Sequence, residues 1–145
     1  MMVRRMALTV VLFAGCIWCL ALVTTADSAP STPAGVPYKP VASVHGLMTG
    51  QMLAFKQIQT SLTGKKEAER PRAIQLTSEA LAELANVNTY NNEKEDYRTW
   101  AGQLRDTALE LAGEAKKKDR ADEDKMKSLF AKLEGTCKSC HDAYQ

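Results

Sequence analysis

Beyond residue 40 the chain has almost no proline. Four of its five prolines stand in residues 30–40, "PSTPAGVPYKP", which reads as an extended leader, and only Pro71 follows. No stretch alternates apolar and polar residues over the length of a strand, which argues against a sheet, and no internal repeat is present, which argues against a solenoid. An excess of either charge is also missing. With residues 1–29 set aside, 17 basic and 16 acidic side chains remain, which gives no reason to expect nucleic acid or an anionic membrane surface as a partner. Cysteine is scarcer still. Beyond residue 29 only Cys137 and Cys140 occur, too few for an iron–sulfur cluster and without the second pair a structural zinc site would use. Histidine is limited to His45 and His141.

The first 29 residues read as a secretory signal peptide: Arg4 and Arg5, an apolar run from Met6 to Val23, then small and polar residues to Ala29. Cleavage falls after Ala26 or near Ser28. Two other readings stand beside it, an uncleaved anchor and a lipoprotein joined through Cys16 in "LFAGC". Cys16 and Cys19 serve as apolar filler of that run. Export is the expectation, to the periplasm or an equivalent compartment, with membrane attachment only if the segment is retained or lipidated.

Residues 41–145 are helical in pattern. Val41, Val44, Met48, Met52, Phe55, Ile58 and Leu62 step by three and four, marking one amphipathic helix that Gly64 caps. A second helix is expected from near Pro71 to about Ala85, with Ile74, Leu81, Leu84 and Ala85 inward. "NVNTYNNEKED" reads as a loop. A third helix carries Tyr97, Trp100, Leu104, Ala108 and Leu111 on one stripe until "GEAKKKDR". The fourth, from about Ala121, carries Met126, Phe130, Leu133, Cys137, Cys140 and Tyr144. Short connections between four such helices favour an all-α, antiparallel up-down-up-down bundle. Trp100, Phe55 and Phe130 are expected in its core, and "KKKDR" in solvent.

The chemistry is concentrated in "CKSCH". On a helix Cys137 and Cys140 lie three apart on one face and His141 follows four after Cys137. Two thiols so placed can add to the two vinyl groups of one haem while the adjacent imidazole reaches the iron, and the string is the attachment signature of c-type haem. A redox-active pair normally opens a helix after a strand, a setting absent here. One covalent haem c is therefore expected, with His141 as the proximal ligand.

An up-down-up-down bundle brings the start of its first helix to the end of its fourth, so the haem is expected beside "VHGLMTGQM". Met48 is seven residues past Val41, about 10 Å along the axis at 1.5 Å per residue. It is the first candidate for the sixth iron position, a vacant position is the second, and His45 the third. Met52 reads as flexible core filler.

With these residues in place the chain resembles the class II c-type cytochromes, the cytochrome c-prime family with its low-spin relatives, over about residues 41–145. "CKSCHDAY" resembles the family's haem attachment followed by an aromatic, here Tyr144. "LMTGQMLAFKQIQTSLTG" resembles its first helix, in which the residue facing the sixth position precedes a helix-ending glycine as Met48 precedes Gly64. The basic residue often found after the aromatic is Gln145 here, and "VASVHG" stands where the family carries an arginine. The resemblance implies either a low-spin carrier of single electrons with Met48 as ligand, or a high-spin protein that binds nitric oxide or carbon monoxide beside an apolar wall of Leu47, Met48 and Met52. It implies periplasmic redox proteins as partners and leaves a homodimer open. Enzymatic activity is not expected, since His45 alone could serve peroxidase-like acid–base chemistry.

Overall fold

The computed structural model describes residues 38–64 and 69–144, all within one compact unit, Pro37–Gln145. The signal segment, most of the leader, and Gln145 lie outside the described residues. Four helices follow in order: α1 Val44–Thr63, α2 Arg70–Asn88, α3 Glu95–Ala115 and α4 Glu123–Tyr144, with one 3-10 turn at Lys118–Arg120. The described residues contain no strand, and none of their helices is long and apolar enough to cross a membrane. Each helix packs against the next, α2 against α3 most extensively, while α1 and α4 touch little. The result is the expected four-helix bundle, with one seam left open.

Local chemistry explains the helix ends. Ser43 starts α1 by accepting the amide of Gly46 at 3.1 Å, so Val41 lies before the helix and is exposed rather than inward. Gly64 ends α1, its amide donating to the Thr60 carbonyl at 2.9 Å. Its φ of −73° is open to any residue. What glycine provides is room, because an added Cβ would sit 2.9 Å from that carbonyl oxygen. At α2, Pro71 stands in the first turn as expected. The helix then runs past Ala85 to Asn88, three residues into the stretch expected as a loop. Asn88 is buried and accepts the Tyr97 hydroxyl at 2.8 Å, a tertiary bond that favours continuing the helix. Likewise α3 runs through Gly113 to Ala115, because Ala112, Glu114 and Ala115 are buried there.

The core is a continuous cluster that includes Ile58 and Leu62 of α1, Ile74 and Leu81 of α2, Leu104 and Leu111 of α3, and Met126, Leu129 and Leu133 of α4. On α1 the inward face is Leu47, Gln51, Ile58 and Leu62. The expected stripe of Val44, Met48 and Met52 is rotated away from it: Val44 and Met52 are exposed and Met48 is half-buried. The apolar sector of α1 is wider than one core face needs, and its second half looks toward the seam with α4.

At the end where α1 finishes, Arg70 donates to the Leu62 carbonyl at 3.0 Å and approaches Glu123 at 3.5 Å, satisfying one of the orphan carbonyls of α1. Beside it, the buried carboxylate of Glu114 accepts Lys117 Nζ at 2.7 Å and the Asp122 amide at 3.0 Å, and lies 3.4 Å from Lys125 Nζ. The Lys117 and Asp122 hydrogen bonds, acting against desolvation, hold its pKa well below the ordinary 4.5, at about 2. A depressed carboxylate stabilises the fold fully above 4.5 and loses that contribution as pH falls toward 2. Glu114→Gln is accordingly expected to lower stability at neutral pH and to flatten the acid limb. Urea unfolding at several pH values checks this, and parallel curves for the two proteins would contradict it.

Candidate functional site

The far end of the bundle gathers the start of α1, the end of α2, the start of α3 and the end of α4. There the seam between α1 and α4 opens into two adjoining clefts. Both are lined by Met48 and Gln51 of α1 and by Cys137 and His141 of α4. Four shared residues make them two lobes of one crevice. The inner lobe adds Cys140 and Thr136 from α4, Asn88 from α2, and Tyr97, Trp100, Ala101 and Leu104 from α3. The outer lobe adds Met52, Phe55, Leu81 and Glu134. Phe55 stacks on Phe130 of α4 with centroids 4.4 Å apart, so one aromatic pair bridges the seam beside the outer lobe.

Sequence reasoning placed several of these side chains differently. Trp100, expected in the core, is a partly buried wall of the inner lobe, while Phe55, also partly buried, packs against the core cluster as expected and lines the outer lobe as well. Met52 is 49% exposed and lines the outer lobe rather than filling the core. Leu47, expected in a pocket wall, is buried and belongs to neither lining. His45 is exposed and outside both lobes. Gln51 went unnoticed because a glutamine amid methionines reads as a solvent-facing residue. It is nevertheless 7% exposed, and its Nε2 is buried with no hydrogen-bond partner.

The last turn of α4 is fastened to the start of α3. The Tyr144 hydroxyl donates to Asp96 Oδ1 at 2.5 Å, its ring receives Tyr97 and Trp100 edge-on at 5.5 and 5.9 Å, and Lys94 Nζ lies 5.0 Å from its centroid. Desolvation and the hydrogen bond to Asp96 push the Tyr144 hydroxyl up to about 12, and the same bond lowers Asp96. Tyr144 therefore stays a neutral donor, and the clamp fixes the turn that carries Cys140 and His141.

Both thiols are free and half-buried. Burial pushes Cys137 up, with a further rise from Cys140; burial also raises Cys140, helped by Asp96. A disulfide exchanger needs the opposite, a thiol with a lowered pKa. Two thiols and an imidazole near the end of α4 share a largely apolar crevice with the Met48 thioether of α1, a donor set that suits one haem. Among the described residues no group of three or more His, Cys, Asp or Glu side chains gathers to hold a metal ion directly.

The described residues form a four-helix bundle whose two thiols, one imidazole and one thioether line a single crevice at one end. The family model for cytochrome C' matches residues 88–145, from the last residue of α2 onward, so this stretch of the chain is similar to that family. That family is itself a standing example of the up-down-up-down bundle. Members of that family carry haem c and act as electron carriers or gas binders. No curated protein and no solved structure matches the chain.

Proposed function

We propose that the protein is an exported monohaem cytochrome that carries single electrons, with haem held by thioethers to Cys137 and Cys140, His141 as its proximal ligand and Met48 as its distal one. The observation that carries this reading is that Met48 of α1 and Cys137 and His141 of α4 line both lobes of one crevice. The haem supplies the redox chemistry, taking up and releasing one electron. The chain's residues do the rest. Cys137 and Cys140 anchor the group on a helix that the Tyr144 clamp holds still. Met48 presents a soft thioether, which favours the reduced iron and raises the potential. Trp100, Leu104, Phe55 and Leu81 exclude water from the crevice walls, which lowers the local dielectric around the iron. Export by the signal peptide expected in residues 1–29 would bring such a carrier to the periplasm, with redox proteins as its partners.

His45 is not given a ligand role, because it lies outside the crevice. The competing reading, a gas-binding protein, needs a sixth position that Met48 leaves free. Addition of carbon monoxide to the reduced holoprotein separates the two. The carrier reading expects little spectral change at ligand concentrations that saturate a five-coordinate haem; ready binding would reject Met48 as ligand.

A further inference from the structure

Met48 is not the whole of the distal wall. Gln51 lies one helical turn further along α1, lines both lobes with it, and is more than nine-tenths buried. Its amide nitrogen has no acceptor among the described residues. Two neighbouring polar groups of the inner lobe are engaged elsewhere: Asn88 Oδ1 accepts the Tyr97 hydroxyl, and Thr136 Oγ1 donates to the Lys132 carbonyl. A buried donor without an acceptor is costly, and an apolar residue of that size would serve packing better. Such a group is retained at least expense where something outside the polypeptide accepts from it.

We infer that Gln51 is a hydrogen-bond donor to a small ligand that takes the sixth iron position when Met48 is displaced, and that the crevice thereby selects ligands bearing an acceptor atom, small anions foremost, over carbon monoxide. This rests on the haem-binding reading above. It reverses the expectation of an apolar wall that stabilises no charged ligand. Met48 holds the site in the carrier state, and Gln51 sets what can replace it. Gln51 acts on the ligand directly, not through another residue.

The test uses holoprotein with Met48→Ala, which opens the position, with and without Gln51→Leu, titrated with fluoride in the ferric state and with carbon monoxide in the ferrous state. Fluoride is a strong acceptor and carbon monoxide a poor one. Loss of the donor is expected to weaken fluoride by about tenfold or more, as befits a hydrogen bond to a charged acceptor, and to leave carbon monoxide within about threefold. Gln51→Met, close in size but without an N–H donor, is expected to weaken fluoride as well and guards against a packing effect of leucine. Equal fluoride affinity across the three proteins overturns the inference, as does a parallel loss for both ligands. A donation from Gln51 to a haem carboxylate would give that first result. Failure of the underlying reading looks different, because no haem would remain attached in any of the proteins.

Discussion

Cys137→Ala combined with Cys140→Ala is expected to leave a folded helical protein that carries no haem through a denaturing gel. The argument is one of bond type. A haem held only by His141 and by packing is released when the chain unfolds, whereas a thioether survives denaturation, so the effect is all or none. Each single variant is expected to keep a stainable haem on its remaining thioether, with a shifted absorption band because one vinyl group stays unsaturated. The fold should tolerate the changes. Both cysteines are only half-buried, and although Cys137 packs against the core cluster, exchanging a thiol for a methyl group there costs on the order of 1 kcal/mol. Circular dichroism of the double variant checks the fold and a haem stain checks the attachment. Unchanged staining of the double variant would remove the basis of the account.

Met48→Ala is expected to give the second largest change. With the thioether gone, the ferric protein should turn from low-spin to high-spin, bind carbon monoxide readily when reduced, and drop in reduction potential by on the order of 0.1 V or more, because axial ligands are the main control over a range of about 0.8 V in haem proteins. Met52→Ala should do none of these, since Met52 lies on the exposed outer lobe one turn away. Potentiometry and carbon monoxide titration of the two variants check this together. Equal behaviour of Met48→Ala and the unaltered protein would mean that Met48 is only a wall residue.

Much of this molecule could be read from its residues, and the places where reading failed share one cause. Helix number, order and antiparallel packing follow from periodicity and short connections, and the motif near the C-terminus points to the end of the bundle where the crevice lies. Helix boundaries moved where tertiary bonds intervened: Asn88 extends α2 by pairing with Tyr97, and Ser43 starts α1 after Val41. On α1 the apolar stripe reads as a single core face, yet Leu47 and Ile58 are buried in the core, Met48 and Met52 line the crevice, and Phe55 does both. Periodicity registers that a residue is apolar and cannot tell packing against a neighbouring helix from packing against a cofactor. For the same reason Trp100 reads as core, whereas Gln51, being polar, reads as solvent-facing.

Gly50 shows how closely the crevice wall is set. A Cβ there would meet Leu84 Cδ1 of α2 at 3.2 Å, so glycine allows α1 to approach α2 on the very turn that carries Met48 and Gln51. The Tyr144 clamp does the corresponding work for α4. One wall is thus positioned by a close helix contact and the other by a hydrogen bond and three aromatic rings.

The most direct test of the central claim is the near-infrared magnetic circular dichroism of the ferric holoprotein, which identifies the axial ligand pair from its charge-transfer bands. The account predicts the signature of histidine with methionine, present in the unaltered protein and absent from Met48→Ala. A five-coordinate high-spin signature, or that of two histidines, would contradict it.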